Sequence, residues 1–280
     1  MATSMPPPPR AFHLASLAPN HTPPLLGLLY TIFGGYQQSA AEGARVRNLR
    51  WLQRLPMAVV WGWFAVHADP AVATYLTIGA FFAVVWFEAV FVMGFSLTDE
   101  AWQGMIDVEI TSPSGLMAVL FGKGLATAAD AARTGLMSAA IVAVMSGLAI
   151  SIPQPLTFVA SLLVALIALI ATSFVFAPLI VVVGGAAGFY NAIRPFGIVF
   201  GGFLFPISRL PDALQPISWF VPAAWSMNAM ILTIQDGPLP DILLRWAAAL
   251  ALSVVYLCLA WWCFRIVERR VLVTGSSLTS

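Results

Sequence analysis

The longest uncharged stretch of this chain is the feature that most constrains its fold. Sixty residues between Arg133 and Arg194 include no Asp, Glu, Lys, Arg or His. A bilayer hydrocarbon core of roughly 30 Å takes about 20 helical residues to cross, so this stretch holds two crossings and a turn. The turn is predicted at 151–155, where two prolines and polar neighbours interrupt the apolar run. The stretch is too long and too apolar for a soluble core.

The composition extends this interpretation to the whole chain. Hydrophobic residues make up 60% of the sequence and charged residues 9%, whereas a soluble domain carries about 25% charged residues. We therefore predict an all-α integral membrane protein. The formal net charge of +1 gives no reason to expect nucleic acid as a partner. The two cysteines, Cys258 and Cys263, and three scattered histidines have neither disulfide nor metal-site spacing, so no metal is expected.

Six transmembrane helices are predicted from the apolar segments and the charges that flank them. The spans are 55–68, 72–97, 129–150, 156–183, 195–208 and 242–264. Together they form a transmembrane domain over residues 55–264. Two of them, 55–68 and 195–208, are short for a full crossing and need residues beyond their ends.

The segments on either side of this domain are predicted to lie in the cytoplasm. Residues 1–54 form an N-terminal tail that ends in an interfacial amphipathic helix at 24–40, because Leu25, Leu28, Leu29 and Ile32 share one helical face. Residues 265–280 form a C-terminal tail. No conventional signal peptide precedes the first span, since prolines 6–9 come before any apolar core.

The basic residues set the predicted orientation. Threaded from a cytoplasmic N-terminus, the six spans leave only Arg209 and Arg245 outside, and eleven of the thirteen basic residues inside. The inside group is Arg10, Arg45, Arg47, Arg50, Arg54, Lys123, Arg133, Arg194, Arg265, Arg269 and Arg270. This asymmetry follows the positive-inside rule and predicts that both termini are cytoplasmic.

Motifs for nucleotide binding or catalysis are missing from the sequence. Gly122-Lys123-Gly124 lacks both the upstream glycine and the hydroxyl residue of a phosphate-binding loop. No nucleophile elbow or paired-carboxylate arrangement with supporting residues is found. The chain is therefore predicted not to be an enzyme.

An acidic segment lies between the second and third spans, within a predicted loop at 98–125. Its carboxylates oppose Trp102, Met105 and Ile106 on a helix, so the segment suits a helix that lies along the cytoplasmic interface. These carboxylates are Asp99, Glu100, Asp107 and Glu109. An ordinary amphipathic loop is the alternative. Because acids match an anionic leaflet poorly, a protein partner is the favoured neighbour.

A second unusual region, 206–240, follows the short fifth span. Its apolar stretch from Trp219 to Ile234 is preceded by Pro216 and interrupted by Pro222. A half-length span followed by a proline-broken apolar segment predicts a re-entrant hairpin that caps the outer end of a pathway. The alternative is a connector folded on the surface, which would expose many Trp, Phe and Met side chains to water.

These two regions, in this order, resemble the membrane subunit of the type-2 ABC exporter permease family over nearly the whole chain. In that family an acidic-Gly-acidic stretch and a Ser/Thr-Pro turn form a coupling helix that meets the ATPase. The residues here that match this pattern are Asp99, Glu100, Gly104, Asp107, Glu109 and Pro113. The outer signature of the family matches Gly202, Phe205, Pro206, Leu210, Pro211, Pro222 and Trp225. The first motif departs in having Asp99-Glu100 where the family usually has Glu-Arg.

The resemblance implies a permease subunit of an ATP-driven exporter in a bacterial cell membrane. It implies that separate ABC ATPase subunits bind ATP and magnesium, and that this chain itself binds no cofactor. It also implies a second permease subunit, as a homodimer or a heterodimer. The nearly uncharged spans favour a hydrophobic, lipidic or drug-like substrate.

Glu88 supplies an alternative function, because it falls near the middle of the second span. An acid at that depth costs about 2.5 to 3.5 kcal/mol on insertion scales, so a functional role is the default hypothesis. On this alternative the chain is an ion- or proton-coupled secondary transporter. The opposing interpretation is a carboxyl kept neutral or hydrogen-bonded in helix packing. A third alternative is a membrane scaffold that transports nothing.

Overall fold

A computed structural model describes residues 24–102, 116–148, 151–183, 193 and 195–274 of the chain. Within these residues every regular element is helical, as the sequence predicts. Four long helices come first: α1 (Pro24–Val66), α2 (Pro70–Trp102), α3 (Leu116–Ser146) and α4 (Pro155–Val183). Four more follow: α5 (195–200), α6 (Gln215–Trp219), α7 (Pro222–Ile234) and α8 (Leu239–Thr274).

Helix α1 is one continuous helix, so the interfacial helix predicted at 24–40 is not separate from the span predicted at 55–68. It runs parallel to α3. A Cβ on Gly35 would lie 2.5 Å from the carbonyl oxygen of Val119, and one on Gly122 would overlap the carbonyl of Ile32. Glycines at these positions let the two backbones approach closely, and this packing offsets the poor helix propensity of glycine.

Helix α2 continues to Trp102 and α3 begins at Leu116, so helical residues cover both ends of the predicted loop 98–125. The helix that contains the third span therefore begins before residue 129, where that span is predicted to start. Lys123 is buried on α3, and Asp130 pairs with Arg133 one turn further on at 3.6 Å. The assignment of Lys123 to the cytoplasmic side stays a prediction.

Helix α2 lies at the centre of the described bundle and contacts α1, α3, α4 and α7. Its buried side chains include Phe81, Phe82 and Trp86, each at most 1% exposed. Gly135 of α3 faces Phe81 and Val85, and a Cβ there would lie 2.8 Å from each of their side chains. This contact sets the register of the antiparallel α2–α3 pair.

Among the described residues, four helical segments are long and apolar enough to cross a membrane. They are Pro70–Val90, Ala118–Ser146, Pro155–Phe176 and Leu239–Ile266, with Leu55–Val66 as a shorter apolar segment. The predicted fifth span, 195–208, ends too late. Its helix stops at residue 200, where Gly201 and Gly202 form a turn and Gly202 takes a φ of 70°. Only glycine adopts this backbone conformation at little cost.

Residues 151–154, just before α4, meet the turn 235–238 at one end of the bundle. The Gln154 side-chain amide donates to the Asp236 carboxylate at 2.8 Å and to the Gly237 carbonyl at 3.1 Å. The C-terminal end of α1 lies at the same end, because Gly62 packs on Met145 just before the turn after α3. The C-terminal end of α2 at Trp102 and the N-terminal end of α3 at Leu116 lie at the opposite end. Most of the predicted coupling residues fall between them, outside the described residues.

Candidate functional site

The turn after α5 packs directly on helix α2. A Cβ on Gly79 of α2 would overlap the carbonyl oxygen of Phe203, so the two backbones touch at this point. The Phe203 ring is fully buried, with its centroid 5.4 Å from that of Phe82 and 6.3 Å from that of Trp86. The turn is thus held between a glycine and two aromatic rings of α2.

Two further contacts fix the same turn. The Tyr75 hydroxyl donates a hydrogen bond to the carbonyl oxygen of Gly202. The indole of Trp86 packs against Gly197 of α5, where any Cβ would overlap the ring. The ring centroid of Trp86 also lies 6.0 Å from that of Phe176 on α4. We call Tyr75, Gly79, Trp86, Gly197 and the turn 201–203 the gate joint.

The predicted outer-gate residues fall into two groups. Gly202 belongs to the gate joint, and Phe205 and Pro206 follow it, half-buried and exposed respectively. Leu210 and Trp225 instead contact the region of α6: the Gln215 amide donates to the Leu210 carbonyl at 2.9 Å, and the Trp225 indole donates to the Trp219 carbonyl at 2.9 Å.

The two remaining prolines of the outer signature differ in exposure. Pro211 is exposed at the start of the turn before α6. Pro222 is buried at the first position of α7. A backbone N–H at this position has no partner within the helix, so proline, which lacks the N–H, loses no hydrogen bond there. Both interrupt the chain where its helices change direction.

Of the gate joint, only Gly202 is among the predicted site residues, and sequence reasoning missed all three of its members on α2, Tyr75, Gly79 and Trp86. All three lie inside the second predicted span, where apolar and aromatic residues are expected as packing. A usable signal was present, since Gly79 is the only glycine between Pro70 and Phe91. A glycine inside an apolar helix indicates a place where another backbone comes close.

Glu88 is 3% exposed, one turn after Val85 on α2. Phe81 and Val85 contact α3 at Gly135, and a helix places residues 81, 85 and 88 along one face. Helix periodicity therefore favours a place for the carboxyl on the side of α2 that packs on α3. Glu88 and Lys123 both make polar or electrostatic contacts within the protein.

The predicted coupling residues lie at the edge of the described structure or outside it. Asp99 and Glu100 belong to the last turns of α2, the helix that also carries Glu88 and the Tyr75, Gly79 and Trp86 side of the gate joint. Their side chains lie outside the described residues, and so do Gly104, Asp107, Glu109 and Pro113 in full.

The described helices define a multi-pass membrane protein. Four long apolar helices, a shorter one and a broken helical segment packed between them form one bundle, with a buried acid inside it.

The sequence model of the ABC-2 type transporter family matches residues 26–234, so this chain belongs to that family. The match confirms the resemblance seen in the two motifs and identifies the chain as an ABC transporter permease, a membrane component that is not itself the catalytic part. No curated protein sequence matches the chain.

Proposed function

We propose that this chain is the permease half of an ATP-driven exporter that moves a hydrophobic, lipidic or drug-like substrate out of the cytoplasm or inner leaflet. The family match over residues 26–234 is the observation that carries the proposal, because it includes both the acidic segment between α2 and α3 and the gate joint. Separate ABC ATPase subunits bind ATP and magnesium and act on residues 99–113.

The continuity of α2 supports a mechanical link between these two regions. At 1.5 Å per residue its 33 residues reach about 50 Å, more than the roughly 30 Å of the hydrocarbon core. Asp99 and Glu100 are near its C-terminus, and Tyr75 and Gly79 are near its N-terminus. A displacement of one end by the ATPase therefore moves the other end against the turn 201–203, which is the outer gate on this proposal.

The broken segment between α5 and α8 forms the re-entrant hairpin of the proposal. Helix α7 buries eight of its thirteen residues and packs against α2, α4 and α8. Irregular backbone at membrane depth requires such protein packing. We assign six crossings to α1, the four candidate spans and the predicted fifth span, of which α5 is the described helical part, with the hairpin 206–240 between the fifth and sixth.

One chain encloses too little space for a wide pathway, so a second permease subunit completes the proposed assembly. The buried surfaces of the described bundle are apolar apart from hydroxyl side chains, Glu88 and Lys123. On this proposal the pathway lies between nearly uncharged spans, which suit a hydrophobic cargo better than a charged polymer. The proposed location is a bacterial cell membrane, with both termini of the chain in the cytoplasm.

The orientation is tested by labelling single cysteines with a membrane-impermeant maleimide in a chain whose Cys258 and Cys263 are replaced by serine. Asp212→Cys, at an exposed position beyond the gate joint, is expected to react in intact cells. Ser280→Cys, at the C-terminus, is expected to react only after permeabilisation. The reverse pattern would overturn the assignment of the gate joint to the outer face.

Glu88→Gln separates an ionisable role from packing, because glutamine keeps the shape and hydrogen bonding of the side chain but cannot ionise. If the carboxyl takes part in transport, vanadate-sensitive ATP turnover in proteoliposomes falls about tenfold while the amount of assembled complex is unchanged. Full turnover would leave only the packing role. The matched control is Asp69→Asn at the exposed turn before α2, which also removes an ionisable carboxyl and should leave turnover unchanged.

A further inference from the structure

The junction between α6 and α7 lies deep along helix α8. Tyr256 comes seventeen residues after Leu239, the first residue of α8, which corresponds to about 25 Å of helix. Its hydroxyl donates a hydrogen bond of 3.0 Å to the carbonyl oxygen of Phe220. Side chains lean toward the N-terminus of their helix, so Phe220 lies about 20 Å from the turn 235–238. The length of α7, also about 20 Å, gives the same depth.

Two side chains donate hydrogen bonds to the backbone carbonyl oxygens of this junction. The carbonyl oxygens of Trp219 and Phe220 lie at the end of α6, where a helix leaves its last carbonyls without intrahelical partners. The Trp225 indole N–H donates to the first, at 2.9 Å, and the Tyr256 hydroxyl donates to the second. In water such carbonyls bind solvent. In hydrocarbon they need a donor from the protein, and both have one.

The outer surface of the junction is apolar. The exposed fractions are 39% for Leu214, 36% for Ile217, 60% for Trp219 and 67% for Phe220. The sequence from 213 to 234 has no charged residue to match a charged partner surface. The neighbouring face of α8 is exposed and apolar as well, with Val254, Val255 and Leu259 near the level of Tyr256. The apolar surface of the junction therefore continues that of a candidate membrane span.

We propose that residues 214–220 form an aromatic corner that contacts lipid acyl chains inside the bilayer, and that Tyr256 and Trp225 hold it at that depth. We assign this surface to lipid hydrocarbon because three observations coincide there. The junction lies deep along α8, its carbonyl oxygens have donors from the protein, and its exposed side chains are apolar and uncharged. The inference uses the membrane-spanning fold and does not depend on the direction or energy source of transport.

The test is fluorescence quenching of a nitrobenzoxadiazole label on single cysteines. The background chain has Cys258 and Cys263 replaced by serine and is reconstituted in phosphatidylcholine vesicles. Trp219→Cys and Leu214→Cys report on the aromatic corner, and the second remains available if the first fails to assemble. Gln235→Cys is the control, because it is exposed in the turn 235–238, from which the depth of the junction is measured.

Labels on the aromatic corner are expected to be quenched several-fold more by lipids brominated near the middle of the acyl chain than by aqueous iodide. The label at 235 is expected to show the opposite preference. Quenching of the corner labels by iodide would overturn the proposal in favour of a water-exposed connector. Resistance of the corner labels to both quenchers would overturn it in favour of a surface covered by a second permease subunit.

Tyr256→Phe tests the positioning role, because it removes only the hydroxyl. The label at 214 is expected to shift toward quenching by lipids brominated near the headgroup, since the Phe220 carbonyl must then find another donor. Tyr256→Trp restores an N–H donor and should recover part of the original depth. An unchanged quenching profile in Tyr256→Phe would show that the hydroxyl does not hold the corner.

Discussion

Replacing Gly79 with alanine is expected to disrupt the gate joint more than any other single methyl group added to a described helix. The new Cβ would overlap the carbonyl oxygen of Phe203, which is main-chain and cannot rotate away. Overpacking of a filled core costs about 1 to 3 kcal/mol of stability. We expect a cost near the upper end of this range, because the atom that the new Cβ meets belongs to the backbone. Thermal denaturation of the detergent-solubilised protein should show a midpoint several degrees below that of the unsubstituted chain.

Gly34→Ala is the matched control for this change. A Cβ at Gly34 of α1 meets nothing within 4 Å, so the substitution adds a methyl group in open space. Alanine is also the better helix former by about 1 kcal/mol, so the control should be neutral or slightly stabilising. Equal midpoints for Gly79→Ala and Gly34→Ala would contradict the close contact between α2 and the turn after α5.

Reversing two charges in the acidic segment is expected to separate the permease from its ATPase. Glu100→Lys with Asp107→Lys would place like charges against the basic groups of the proposed partner, and such juxtaposition costs several kcal/mol. Because 1.4 kcal/mol corresponds to a factor of ten, the association should weaken at least tenfold. The amount of ATPase that remains bound to the tagged, purified chain measures this effect.

Asp212→Lys with Asp236→Lys is the control, because it reverses two charges at the other end of the bundle. It should leave ATPase binding unchanged even though Asp236 accepts a hydrogen bond from Gln154. Gly104→Leu should weaken binding by steric exclusion, since glycine permits close backbone approach. If the charge-reversed chain kept all of its bound ATPase, the acidic segment would have no coupling role.

The helical membrane fold could be predicted from the sequence because uncharged length alone dictates it. The turn at 151–155 and the break at residues 201–222 could also be predicted, since proline and glycine mark them in the sequence. The positions of helix ends next to charged residues could not be predicted from the sequence. Lys123 suggested a loop, but it is buried on α3 and makes contacts within the protein.

The gate joint shows what sequence patterns leave open. The family signature placed Gly202 in the outer region, but nothing in the sequence tells which helix receives that turn. Tyr75 and Gly202 are 127 residues apart along the chain, and their hydrogen bond depends on the packing of α5 against α2. Trp86 and Gly197 likewise come into contact only in the folded protein. Contacts this distant in sequence follow from tertiary packing, which no local periodicity encodes.

Isolation of the tagged chain from native membranes under mild detergent tests the central proposal most directly. We expect a complex that contains an ABC ATPase, hydrolyses ATP with sensitivity to vanadate, and loses this activity when Glu100 and Asp107 are changed to lysine. A pure chain with no bound ATPase, which alone carries a proton-driven flux abolished by Glu88→Gln, would contradict the exporter and establish the secondary transporter.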